Sequence, residues 1–230
     1  MRRKTLYALG IILALLALQS CSSKPEQGLL QRYFNAIKLK DVATMSSMAV
    51  DPMNIPVDSW KIIGDSPETM AATTLADMAK NEAELKKKLE GHVGPTMDAE
   101  NALYDAKEKY NSARSGGAKA AAKKEMDDAQ VKYDQERELH RQIQKDYNDA
   151  VAAAKKEEEI TLFSLGEQQL PNIRDLAGQV FSKDVQVEIK SGDGAIHNYK
   201  LIMRRYELKD ETTGILRRGG WKILKFESIN

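Results

Sequence analysis

The chain has 230 residues, a formal net charge of +1, and 30% charged against 6% aromatic side chains. The near-zero charge gives no electrostatic reason to expect nucleic acid as a partner, and a single cysteine excludes both an internal disulfide and a cysteine-rich zinc site. The composition is too polar for one compact core and too helix-friendly for disorder, and a long solvated helical segment reconciles the two.

The chain opens with Arg2, Arg3 and Lys4, followed by the apolar run Leu6 to Leu18. That run is too short to span a hydrocarbon layer of ~30 Å as a mature helix, and it has the form of a signal-peptide core. Leu18-Gln19-Ser20-Cys21 follows, an aliphatic residue, a variable one, a small one and cysteine. This resembles the lipobox of bacterial lipoproteins. The resemblance implies cleavage after residue 20 and acylation of Cys21, with the thiol consumed in a thioether. More than one acyl chain holds a protein stably on a membrane, where one is marginal. Ser22, where an Asp would favour inner-membrane retention, implies the periplasmic face of the outer membrane in a Gram-negative host. Residues 21–28 then read as the acylated end and a short polar tether, so the folded part stays close to the lipid.

Leu30, Tyr33, Phe34 and Ile37 fall on one helical face. Asp41 is placed to cap a second, short helix burying Val42, Met45 and Met48. "PVDSWKIIG" reads as a strand carrying Trp60, Ile62 and Ile63. Ser66-Pro67-Glu68 has the form of a helix start. From there to Glu159 the chain is rich in Ala, Lys, Glu, Asp and Gln, interrupted by "GHVGP" at residues 91–95 and "SGG" at 115–117.

A 3-4 spacing runs through Leu75, Met78, Glu82, Leu85, Leu89, His92, Thr96, Ala99, Leu103, Ala106, Tyr110 and Ala113. A second runs through Ala122, Met126, Ala129, Tyr133, Glu136, His140, Ile143, Tyr147, Ala150 and Ala154. Folded at Gly116, the two series face each other as an antiparallel helical hairpin, with facing residue numbers summing to about 232. Gly116 and Gly117 are expected to supply a positive φ at the turn, and Pro95 to interrupt or kink the first arm. In this register His92 lies opposite His140, with Glu136 one turn away. Those residue types suit zinc or nickel, but only two histidines converge at a loosened point, so the preferred reading is two seam side chains and no metal. A hinge that responds to pH is the further possibility. Arg114, Gly116, Gly117 and Lys119 at the tip are the candidates for docking a partner.

After the second arm, Leu170 to Phe181 is expected to hold a short helix with Ile173, Leu176, Val180 and Phe181 inward. "KDVQVEIK" alternates, with Val185, Val187 and Ile189 on one face. Ser191 to Gly194 is a hairpin turn, "AIHNYKLIMRRYELK" a long strand, and "RRGGWKILKF" a third, closing an antiparallel meander. The glutamates at 157, 158 and 159 read as a solvated charge run. Arg204, Arg205, Arg217 and Arg218 read as a charged sheet edge or, in a sharper reading, as an anion or lipid-headgroup patch.

A lead helix, an early strand and a closing meander with "GGWKI" resemble the NTF2-like (cystatin-like) α+β fold. The resemblance implies a curved sheet with a possible pocket and, for enzymes of that fold, a polar dyad inside it; His197 is the only histidine in this part. The expected organisation is therefore a signal peptide (1–20), the acylated tether (21–28), a discontinuous α+β domain (29–65 and 160–230) and a helical hairpin insertion (66–159). No phosphate loop, nucleophile elbow, HExxH, EF-hand or CxxC motif occurs. The expected function is a non-catalytic envelope lipoprotein without a cofactor, held to the membrane by its lipid. Its hairpin would meet an envelope protein or a second copy. The alternative is a small-ligand module with a pocket between the first helix and the sheet.

Overall fold

The computed structural model describes residues 25–53, 55–210 and 213–229. The expected signal peptide (1–20) and the acylation candidate Cys21 lie outside them. Among the described residues the fold is α+β, with four helices and a six-stranded antiparallel sheet. Among the described residues no helix is long and apolar enough to cross a membrane.

Helix α1 (Pro25–Leu39) and helix α2 (Val42–Met48) come first among the described residues. Residues 25–28, expected as tether, are already helical. Leu30, Tyr33 and Phe34 are fully buried and Ile37 nearly so, as their spacing requires. Asp41 caps α2 by accepting from the Thr44 amide at 3.0 Å. Met48 is buried, but Val42, expected inside, is exposed, because α2 touches the core with its last turn alone.

Strands β1 (Ser59–Asp65) and β2 (Thr69–Ala72) both pair with one long strand, β3 (Ala177–Lys190). β3 pairs along its whole length with β4 (Ile196–Lys209), which in turn pairs with β5 (Leu216–Arg218) and β6 (Lys222–Ile229). The sheet is thus four strands wide, with each outer strand broken in two. Ser66-Pro67-Glu68 is one break and not a helix start. Pro67 has no N–H for the ladder, while the Ser66 amide donates to Asp184 O at 2.9 Å and its Oγ accepts from the Asp184 amide at 2.9 Å. The region expected to be helical at Leu170–Phe181 is a 3₁₀ turn at Ile173–Asp175 followed directly by β3. Ile173 and Leu176 are buried as expected. Val180 and Phe181 are strand residues paired with Tyr206 and Arg205.

α1 lies across one face of this sheet. Its apolar side packs on Val185, Val187 and Ile189 of β3, Leu201 and Met203 of β4 and Ile223 of β6. Tyr33 stacks on Phe226 at 5.5 Å and Phe34 on Trp60 at 4.7 Å. The Tyr33 hydroxyl accepts from the Met53 amide at 2.8 Å, and burial pushes its pKa up to about 12. Lys183 Nζ reaches Glu26 at 2.5 Å and Asp65 at 2.9 Å and pins the first turn of α1. Burial opposes the charge on this lysine, but its two carboxylate partners outweigh that and raise its pKa.

The remaining helices form the hairpin: α3 (Leu75–Ser112) and α4 (Gly116–Leu165), packed against each other. Every position of the two 3-4 series is buried or half-buried. Pro95 does not interrupt α3, which is helical throughout. Its ring is on the exposed side, and the seam-facing Thr96 hydroxyl donates to His92 O at 2.9 Å, tying the two turns together. α4 has 50 residues against 38 in α3, so it outruns its partner at the base. It ends at Gly166, which takes φ +72° and donates to Phe163 O at 3.3 Å.

Candidate functional site

The tip is a short connection between helices. Ala113 and Ser115 are extended, and the Ser115 hydroxyl accepts from the Ala118 amide at 3.3 Å. Gly116 and Gly117 do not make the turn: they form the first turn of α4, and neither has a positive φ. A Cβ on either would meet nothing within 4 Å. Gly116→Ala and Gly117→Ala should therefore each raise stability by about 0.5 kcal/mol, read by urea unfolding. Arg114 and Lys119 are exposed, and Lys119 Nζ sits 5.4 Å from the Tyr110 ring centroid.

Midway along the hairpin, His92 and His140 face each other with ring centroids 5.8 Å apart and planes 29° apart. Their numbers sum to 232, the register read from the spacing. His92 Nε2 lies 3.1 Å from Glu136 Oε2, and its Nδ1 lies 3.2 Å from the Thr96 hydroxyl. Both nitrogens of His92 are thus engaged, and stacked rings do not aim their lone pairs at one point. Among the described residues no group of three His, Cys, Asp or Glu side chains is placed to hold a metal. His140 Nδ1 is buried without a hydrogen-bond partner among them. Such a group costs free energy, so His140→Leu should stabilise the hairpin by about 1 kcal/mol, measured by chemical denaturation.

The base of the hairpin is where the sequence reading missed most. Leu75 of α3, Ile173, Leu176 and Leu208 form a second buried cluster, flanked by Leu162 and Leu165 of α4. Polar networks surround it. Glu157 Oε1 accepts from the Tyr206 hydroxyl at 2.7 Å, while Arg204 Nη1 lies 3.5 Å from its Oε2. Tyr206 is fully buried, and that burial, reinforced by the Glu157 carboxylate, drives its pKa far up. Glu158 and Glu82 grip one guanidinium from the two arms: Arg174 donates to Glu158 at 2.7 Å and to Glu82 at 2.8 Å. Their hydrogen bonds and charges, Glu158 first, raise the Arg174 pKa although its burial works against the charge. The glutamates at 157–159 are therefore not one solvated run. Only Glu159 faces water, 3.9 Å from Lys155.

Ser164 completes the junction. Its hydroxyl donates to Gly220 O at 2.9 Å and accepts from the Tyr206 amide at 3.1 Å, and its carbonyl accepts from the Gly220 amide at 2.8 Å. The "RRGGWKILKF" stretch is thus two strands, with Gly219-Gly220 between them admitting the last turn of α4. The four arginines are not a free cationic patch. Arg204 meets Glu157, Arg205 meets Glu207 and stacks on Phe181 at 3.7 Å, Arg217 meets Glu167 at 3.2 Å and Arg218 meets Glu207 at 3.8 Å.

Leu30, Tyr33 and Phe34 of α1 are buried against the sheet. Open volume there, about 360 Å³, lies at the rim beside Gln27, Gln31, Trp60, Lys61 and Ile62. His197 is on β4 opposite Ile189, in the turn-proximal end of that strand. A larger groove of about 630 Å³ lies between α2 and the basal part of α4.

Compared with protein-family models, curated proteins and solved structures, the chain finds no match.

Proposed function

We propose that the protein is a lipid-anchored bacterial envelope lipoprotein without catalytic activity, a scaffold whose helical hairpin presents its tip to another envelope protein. The α+β body is of the NTF2-like kind and serves as the base. The observation that carries this reading is the continuity of α4, which runs from the tip at Gly116 to Leu165 against the sheet. A contact made at the tip is therefore transmitted to the body without a flexible joint. The acyl anchor on Cys21 would hold that body at the membrane, and the long arms would supply the reach, about 55 Å for the shorter one at 1.5 Å per residue.

Photo-crosslinking amino acids at Arg114 and Lys119 test the docking. The expected result is one envelope protein captured by both tip probes and not by a probe at Lys87, low on the arm. Capture equal at all three positions, or at none, would contradict it. Metabolic labelling with an alkyne palmitate tests the anchor: label present in the native chain and lost in Cys21→Ser. Label retained in that variant would refute acylation at this position.

A further inference from the structure

The groove between α2 and the base of α4 is open to solvent, largely apolar, and rimmed by cations. Ala49, Val50, Ala152, Ile160 and Phe163 supply its apolar wall. Val42, exposed and one turn before the lining residue Ser46, extends that surface along the same face of α2. Its volume of about 630 Å³ lies within the ordinary range for small-molecule sites.

The charges around it are unbalanced. Lys155 and Lys156 line the groove, and Glu159 is the one carboxylate among the described lining residues. Glu159 lies 3.9 Å from Lys155, and Lys156 has no acidic partner among the described residues. Lys222 stands beside the groove. Its Nζ lies 4.3 Å from the Phe163 ring centroid and donates to Ser47 O at 2.7 Å, with no carboxylate bonded to it among the described residues. Burial, and then the nearby Arg32, push its pKa down, which is the state of a cation that an incoming anion would stabilise.

We propose that this groove binds a single-chain anionic amphiphile. The alkyl chain lies along Ala49, Ala152, Ile160 and Phe163, and the anionic head is met by Lys155 and Lys156. An apolar wall beside Lys155, Lys156 and Lys222, with Glu159 the one carboxylate among the described lining residues, complements an alkyl chain ending in a negative charge. A neutral or cationic amphiphile would gain the wall but not the rim. The site is independent of the tip, so docking and ligand binding stand or fall separately.

The test uses the full chain reconstituted in vesicles of phosphatidylethanolamine and phosphatidylglycerol. A photoreactive lauric acid is irradiated with it, and adducts are mapped by mass spectrometry. The expected adducts fall on peptides containing Ala49, Ala152 or Ile160, and excess lauric acid removes them. A photoreactive quaternary ammonium of the same chain length should label these peptides roughly tenfold less, as should lauric acid on Lys155→Glu/Lys156→Glu, two exposed charge contacts being lost. Ala152→Trp, at an exposed helix position, should block labelling while leaving the circular dichroism unchanged. Competition by lysophosphatidylglycerol better than by laurate would assign the head as phosphate; the reverse would assign a carboxylate. Equal labelling by both probes, labelling that survives Ala152→Trp, or crosslinks from the groove to a second copy of the chain would overturn the proposal.

Discussion

Gly219→Ala should lower stability by about 2–3 kcal/mol, a fall of roughly 5–10 °C in melting temperature for a chain of this size. A Cβ at Gly219 would meet the Ser164 side chain, and would lie 2.8 Å from the carbonyl carbon and oxygen of that residue. Backbone on a continuous helix has nowhere local to go, so the last turn of α4 has to move away from the sheet. The Gly219 amide donates to Tyr206 O at 2.7 Å and the Gly220 amide to Ser164 O at 2.8 Å, and both bonds would be strained together. The neighbouring glycine is the control. A Cβ at Gly220 meets nothing within 4 Å and its φ is not positive, so Gly220→Ala should change stability by less than about 0.5 kcal/mol. Equal effects at the two positions in a calorimetric scan would mean that the helix does not enter the sheet here.

Glu157→Leu should cost about 2 kcal/mol, less than a fully buried pair because the Arg204 side chain keeps contact with water. Its loss leaves the Tyr206 hydroxyl buried with only the 3.4 Å contact from Arg204. Tyr206→Phe alone should cost about 1.5–2 kcal/mol, the low end of the range for a hydrogen bond to a charged acceptor. In the double variant the orphaned hydroxyl is gone, so the two losses should fall short of additivity by about 1 kcal/mol. Additive losses in a urea-unfolding cycle would show that the two side chains do not act as one unit.

Much of the fold could be read from local pattern. The face of α1, the alternation of Val185, Val187 and Ile189, and the turn at Ser191 to Gly194 each depend on residues within a few positions of one another. The hairpin seam extends this over longer range because its period repeats through both arms, and a wrong phase would have put His92 and His140 on different faces.

Other features depend on partners distant in the chain. Ser66-Pro67-Glu68 carries a helix-start signal, yet the 14-residue β3 offers an edge that takes Thr69–Ala72 as a strand. Glu157 and Glu158 look like solvent-facing charges until Tyr206 and Arg174 are brought to them. Gly116 and Gly117 resemble a turn, but the Ser115 cap starts α4 one residue earlier. Gly219 sits mid-strand by pattern, and only the approach of Ser164 explains why a side chain is excluded there. The junction that joins hairpin to sheet was therefore the least legible part of the molecule.

The central claim is that the hairpin is a rigid continuation of the sheet, and an electron-electron distance measurement tests it most directly. Spin labels at Asn101 on α3 and Lys190 on β3, both exposed, in the full chain carrying Cys21→Ser, report the position of the arm relative to the body. A single narrow distance distribution is predicted, broadened by Gly219→Ala and unchanged by Gly220→Ala. A broad or two-peaked distribution in the chain without glycine substitutions would contradict the account.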